Sequence, residues 1–264
     1  MLYLSPVHRV LRLSGPDALT FLQSQLTNDV AALAVGQWQW QGCCSSKGRL
    51  LATFALARMG DDAWEAVVPT STIDALAKRF TMYRMRSKVV IEIAADRSVG
   101  WAFVAADAAT SATKIALALP DGRAYVLVNA EDATGFESAD DATQQRWQRA
   151  NIEAMQPEIT ALTAEMFVPQ MIAWDTVQPG GGVSFSKGCY PGQEIVARAH
   201  YRGAVKRHLE KQSIASAIDI KDGAEITLND GRTAEVCNAA RISDAGYMTL
   251  VVVASLRADE SGNS

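Results

Sequence analysis

Residues 187–203 read Lys-Gly-Cys-Tyr-Pro-Gly-Gln-Glu-Ile-Val-Ala-Arg-Ala-His-Tyr-Arg-Gly, a lysine, a cysteine and glycines gathered around one proline ahead of a helix-forming run. Gly188 and Gly192 let the backbone turn tightly and approach a ligand. Pro191 suits a first helical turn, where its missing N–H costs nothing. The spacing predicts a helix over residues 193–199. Cys189 then stands before the positive end of that helix with Lys187 beside it, and both features favour a thiolate over a thiol. Two readings stay open: a small, half-buried hydrophobe in a glycine-rich connection, or a reactive thiol. A lysine, a turn and a helix start are more than an apolar filler requires.

Outward from this stretch the chain alternates strands and helices. Strands are predicted at 7–13, at 37–41 where glutamine and tryptophan alternate, and at 49–59 and 64–68 across the Gly60-Asp61-Asp62 turn. Further strands fall at 88–93 and 99–105, and a hairpin joins 114–119 to 124–129 through Asp121-Gly122. A short amphipathic helix at 17–25 turns Leu19, Phe21, Leu22 and Leu26 inward. A longer one at 71–85 takes Ser71 or Thr72 as cap and buries Ile73, Leu76, Ala77 and Phe80. An acidic loop at 131–143 leads into a helix at about 140–154. Beyond residue 205 only short strands remain, punctuated by Asp222-Gly223, Asn229-Asp230-Gly231 and Gly246, and the tail at 257–264 is polar and expected to be disordered.

The chain has 264 residues, 48% of them hydrophobic and 20% charged, which suits a soluble globular protein of one to three domains. No apolar run approaches the roughly 18 residues of a membrane span, and the N-terminal MLYLSPVHRVLRL lacks the pattern of a secretory signal. Cys43, Cys44, Cys189 and Cys237 show no CxxC spacing, and the adjacent pair argues against a disulfide framework. A cytoplasmic setting without a membrane partner is expected. His8, His200 and His208 form no ligand cluster, so no metal site is expected. The net charge of −4 is unevenly spread: residues 78–88 carry five basic residues and no acid, and residues 187–208 carry five against Glu194. Such segments form either an anion-binding surface or separate solvated faces. Phe80 and Tyr83 in the first either stack on bases or belong to the core.

Lys187-Gly188-Cys189-Tyr190, Gly192-Gln193-Glu194 and Arg198, continuing through Arg202-Gly203 to Lys206-Arg207, resemble the signature of the YgfZ family of folate-binding proteins. That family is related to the glycine-cleavage T-protein, an aminomethyltransferase, and to the mitochondrial iron–sulfur assembly factor. Other stretches agree in order: Gly15-Pro16-Asp17, Phe21-Leu22-Gln23, Thr27-Asn28-Asp29, Lys47-Gly48-Arg49, Arg86-Ser87-Lys88-Val89 and Phe167-Val168-Pro169-Gln170. The resemblance covers most of residues 1–255.

It implies an α+β fold of T-protein type, a ring around a folate-binding centre. Residues 1–40 with 145–204 would form a discontinuous first domain, 41–144 a second α+β domain, and 205–256 a small C-terminal β-barrel. It implies tetrahydrofolate or a derivative as cofactor. The T-protein segment resembling R-L-E-A-G-L matches here at Glu153-Ala154, with Asn151 in place of Arg and Met155 in place of Gly. Glu153 is thus either the pterin-binding carboxylate or an exposed helical glutamate. Arg202, Lys206 and Arg207 would hold the glutamate tail. Tyr190 and Trp174 would wall the slot or pack in the core, while Gln193, Glu194 and Arg198 would line the site. Glu194 and Arg198, one helical turn apart, either set the charge of Cys189 or pair with each other.

One departure speaks against straightforward aminomethyl transfer. The T-protein segment resembling G-G-x-I-D-D-L-I reads here Gly48-Arg49-Leu50-Leu51-Ala52-Thr53-Phe54, so Ala52 or Thr53 stands where a catalytic aspartate would. The implied role is therefore an accessory one: support of iron–sulfur cluster assembly or repair, with iron–sulfur proteins such as tRNA-thiolating enzymes as partners, acting through Cys189 and Lys187. The alternatives are a folate-dependent C1 transferase with a relocated catalytic group, and a module binding tRNA directly through Arg84, Arg86 and Lys88.

Overall fold

The computed structural model describes residues 1–108, 111, 113–203 and 205–255, and the tail expected to be disordered lies outside them. In chain order come β1 (Leu2–Leu4), β2 (His8–Ser14), α1 (Ala18–Gln25), β3 (Trp38–Cys44), β4 (Leu50–Gly60), β5 (Ala63–Pro69) and α2 (Thr70–Arg84). Then follow β6 (Val90–Ile93), β7 (Arg97–Ala102), β8 (Lys114–Ala118), β9 (Ala124–Asn129), β10 (Glu137–Ser138) and α3 (Asp141–Glu153). The last are α4 (Gln193–Tyr201), β11 (Arg207–Ala215), β12 (Glu225–Thr227), β13 (Thr233–Ser243) and β14 (Gly246–Ala254).

The strands form three sheets, ordered β3-β4-β5-β2-β6, β10-β1-β7-β9-β8 and β11-β14-β13-β12. All pairs are antiparallel except β1 with β10. This α+β architecture groups the chain differently from the division expected above. A boundary at residue 40 falls inside β3, and β2 pairs with β5 and β6. The 41–144 segment is itself shared out, its part up to β6 in the first sheet and its part from β7 in the second. Among the described residues the C-terminal strands pair in the order β11-β14-β13-β12, with no hydrogen-bonded pair between β11 and β12.

Strand alternation decides what each face of the first sheet meets. On β4, Ala52, Phe54 and Leu56 face the core under α1 and α2, where Phe21 and Phe80 meet edge to face at 5.7 Å. Ala55 and Ala57 face the larger core that joins all three sheets. There Trp101 of β7 stacks on Trp147 of α3 at 5.0 Å and 5°, and Trp40 of β3 meets Trp174 at 5.4 Å. Each such buried side chain contributes about 2 kcal/mol of transfer free energy or more. Phe80 is thus a core residue with no face free for stacking on a base.

Two helix starts depart from expectation. The residue capping α2 is Pro69, and neither Ser71 nor Thr72 acts as cap. Thr72 instead donates to the Pro69 carbonyl at 3.3 Å, while Ser71 accepts from the Ala161 N–H at 3.3 Å. Helix α4 starts at Gln193, so Pro191 lies ahead of it, and Gly192 at φ 79° makes the turn. By contrast α3 opens with a side-chain cap, Asp140 accepting from the Thr143 N–H at 2.8 Å. It ends with Met155 at φ 52°, a left-handed position that favours glycine and that glycine occupies in the resembled segment.

Candidate functional site

The motifs found in sequence meet in pairs. Gly15, at φ 123°, packs against 86–89: a Cβ there would lie 2.4 Å from the Lys88 carbonyl oxygen, and Asp17 accepts from the Lys88 N–H at 2.7 Å. Thr27 Oγ1 accepts from the Gly42 N–H at 2.8 Å and donates to the Gly182 carbonyl at 2.5 Å. Asn28 spans the Trp40 and Gly181 carbonyls. Arg49 donates to the carbonyls of Glu165 and Met166, and Gln170 holds α4 by donating to the Val196 carbonyl at 2.9 Å. Gly192 abuts the 45–49 turn so closely that a Cβ would come within 2.3 Å of the Ser45 carbonyl oxygen.

Within this frame Cys189 is exposed, while Cys43, Cys44 and Cys237 are buried. Burial pushes the Cys43 thiol up to about 11 and raises Cys44 and Cys237 as well, so these three are held as thiols at neutral pH. Lys187 does not project as a free cation. Its Nζ is buried and donates to the carbonyls of Gln23 and Leu26 at 2.6 Å and of Asn28 at 3.2 Å. These carbonyls lie at the end of α1, where intrahelical partners run out. Burial lowers the ammonium to about 8, against the pull of Asp29. The side chain also lies 5.3 Å from the ring centre of Tyr190, whose phenol burial drives upward.

The remaining predicted residues separate. Glu194, Arg198, Arg202 and Lys206 are exposed, and Gln193 is half-buried. Glu194 and Arg198 form no ion pair with each other, and Arg207 is bound instead to Glu235 and to the Val252 carbonyl. Tyr190 and Trp174 are core residues, with Gly182 pressed flat against the Trp174 indole. Of the two residues at the expected aspartate position, Ala52 faces α2, and Thr53 Oγ1 accepts from the Ile159 N–H at 2.9 Å.

The interior where the sheets converge is nearly filled. Two small cavities of about 20 and 40 Å³ share Asn151, Gln156 and Glu158, and His8 Nε2 bonds Glu158 Oε2 at 2.7 Å. Neither has room for a folate. Glu153 instead opens onto a surface cleft of about 520 Å³, together with Phe103, Arg123, Arg146, Arg149 and Met248. Arg146 lies 3.9 Å over the Phe103 ring. Arg123 is buried against Trp147 and bonded to Asp121, Asn151 and Gln156. Where the resembled segment has an arginine, this chain has an acceptor, Asn151, for an arginine from the β8–β9 connection. The arginines of this cleft were missed in sequence, although Arg146, Arg149 and Glu153 follow the i, i+3, i+7 spacing of one helix face. Tail anchors expected at Arg202, Lys206 and Arg207 do not line it, and neither do Tyr190, Gln193, Glu194 or Arg198.

Among the described residues no cluster of three or more His, Cys, Asp or Glu side chains is placed to hold a metal ion. No helix among them is long and apolar enough to cross a membrane.

No family model matches the chain. It is 31% identical over 273 residues to the tRNA-modifying protein YgfZ of Klebsiella pneumoniae (strain 342), covering 91% of this chain and 81% of that one. The tRNA-modifying protein YgfZ of Cronobacter sakazakii (strain ATCC BAA-894) is 32% identical over 271 residues, covering 91% and 80%. An uncharacterized Haemophilus influenzae protein is 27% identical over 253 residues, covering 93% and 86%. Among solved structures, glycine cleavage system aminomethyltransferase T from Bartonella henselae superposes with a TM-score of 0.60 at 16% identity, over 96% of this chain and 78% of that one. That likeness is one of fold.

Proposed function

This chain belongs to the YgfZ family of tRNA-modifying proteins, and from that premise we propose that it is a tetrahydrofolate-binding accessory protein supporting iron–sulfur proteins through Cys189. The observation that carries the folate half is the cleft at the end of α3. It offers Glu153 to a pterin edge, Phe103 and Met248 as apolar wall, and Arg146 and Arg149 for the tail carboxylates. A tetrahydrofolate held there brings a one-carbon carrier to the site. Among the described residues the Glu153 side chain makes no ion pair or hydrogen bond, which leaves its carboxylate to a ligand. The lack of a carboxylate at Ala52 and Thr53 supports an accessory role over aminomethyl transfer.

The iron–sulfur half rests on the family resemblance and on Cys189 as the exposed thiol of the chain. One thiolate is able to accept sulfur or ligate iron transiently, and cannot hold a cluster that needs four ligands.

Calorimetry with tetrahydrofolate tests the reading on the wild type, Glu153→Gln and Cys189→Ala. Binding that survives Cys189→Ala and falls with Glu153→Gln is expected. Undiminished binding by Glu153→Gln, or none by the wild type, removes the folate cleft. Turnover with an aminomethyl donor would instead favour the transferase reading.

Direct tRNA contact is a second reading, favoured by a partly exposed aromatic cluster at the end of α4. Phe185 stacks on His200 at 3.7 Å, and Tyr201, 70% exposed, meets both rings, with Arg198 and Arg202 close by in sequence and exposed. Stacking platforms flanked by cations suit unpaired bases. Affinity for tRNA that falls steeply with salt and drops with Tyr201→Ala supports it, and salt-independent or undetectable binding ends it.

A further inference from the structure

A further cavity, of about 340 Å³, lies on the helix-covered side of β4, between that strand, α2 and the 161–164 turn. Its wall is mostly small and apolar: Leu51, Ala52, Ala75, Leu76, Ala161 and Ala164. The hydroxyls on its rim are already engaged, Ser71 with the Ala161 N–H and Thr72 with the Pro69 carbonyl. One charged group lines it, Arg79.

Among the described residues Arg79 lacks a counter-ion. Its Nη2 donates to the Cys44 carbonyl at 3.1 Å and its guanidinium lies 4.6 Å from the Tyr83 ring centre. Its Nε is buried without an acceptor, and among the described residues no carboxylate comes within ion-pairing distance. The neighbouring thiols do not supply the charge, because burial holds both protonated. A half-buried cation at the edge of an apolar chamber calls for an anion carrying an apolar body.

We propose that this chamber binds a small amphipathic carboxylate, its hydrocarbon or aryl body against the alanines and its carboxylate on Arg79. The site is separate from the cleft at Glu153 and shares no lining residue with it. An acid fits better than the matching alcohol, since guanidinium–carboxylate pairing has no equivalent for a neutral group.

The test is calorimetric titration of the full chain with octanoate, 3-phenylpropionate and the neutral controls 1-octanol and 3-phenylpropanol. At least one acid is expected to bind with one-to-one stoichiometry, about tenfold or more tighter than its alcohol. The two acids distinguish an alkyl from an aryl body. Ala75→Phe, at an exposed helix position, fills the chamber and is expected to abolish binding of both members of the pair. Arg79→Gln is expected to erase the acid–alcohol difference. Thermal melting without ligand checks that each variant folds, and Ala75→Phe decides alone if Arg79→Gln does not. No saturable binding of either acid, equal affinity for acid and alcohol, or unchanged acid binding by a folded Ala75→Phe overturns the proposal.

Discussion

Gly48 and Gly192 meet backbone to backbone: a Cβ on Gly192 would lie 2.6 Å from the Gly48 Cα, and one on Gly48 would lie 3.0 Å from the Gly192 carbonyl oxygen. Both residues have positive φ, 68° and 79°. This contact seats the start of α4 on the 45–49 turn and fixes the segment that presents Cys189. Gly192→Ala therefore combines a left-handed backbone strain with a collision against backbone that has no flexible end to yield. A loss of about 2 kcal/mol or more in unfolding free energy is expected, read by urea denaturation. A cost below about 0.5 kcal/mol would mean that the two turns separate freely.

Lys187 has a structural duty that can be told apart from a chemical one. Lys187→Met keeps the apolar stem but takes the ammonium donor from the Gln23 and Leu26 carbonyls and leaves that of Asn28 only the Gln41 amide, at 3.5 Å. The expected cost is about 3 kcal/mol, because buried acceptors stripped of partners keep their desolvation penalty. Under conditions where the variant is folded, alkylation of Cys189 by iodoacetamide is expected to change less than about threefold. A large drop in that rate with unchanged stability would return Lys187 to the role of thiol activator.

The cysteines separate by exposure. In native buffer one equivalent of iodoacetamide is expected to react, at Cys189, and the other three thiols only after denaturation. Mass spectrometry of the peptides reads the site. Native labelling at Cys43, Cys44 or Cys237 would contradict the core as described.

Asp222 sets a pH dependence. It is raised to about 6, chiefly by burial, although the Ala239 N–H and the Thr160 hydroxyl bond it. A carboxyl whose folded value lies above its unfolded one favours the fold when protonated. Its contribution is therefore complete below about 4 and lost as pH rises through about 6. Asp222→Asn is expected to raise stability at pH 7.5 by about 2 kcal/mol and to flatten the stability profile between pH 4.5 and 7. Thermal melts across that range check it, and equal slopes for both proteins would refute it.

Most strands and helices were legible because their signals are local. The alternation of Gln37-Trp38-Gln39-Trp40-Gln41 marked β3, and Asp121-Gly122 marked the β8–β9 hairpin. What sequence left hidden depends on long-range pairing. Nothing near residues 8–14 announces that β2 inserts between β5 and β6. The site shows the same division. As candidates, Cys189 stands out in the sequence through its glycines and proline, and Glu153 through its matched neighbours. The tail anchors expected at Arg202, Lys206 and Arg207 follow the Cys189 motif, whereas the arginines that share the cleft with Glu153 are Arg123 from a hairpin and Arg146 and Arg149 from its own helix. Lys187 looked like a free charge because its partners, 159 to 164 residues away, are backbone carbonyls that no side-chain pattern records.

The parallel indoles of Trp101 and Trp147, one on a strand and the other on α3, amount to a built-in optical reporter. Two indoles stacked that closely are coupled chromophores, and their near-ultraviolet signal changes when the rings part. That coupling exists only while α3 is seated on the second sheet. Since α3 also carries Arg146, Arg149 and Glu153, the assembly of the cleft can be followed by light alone, without a label and without knowing what the cleft binds.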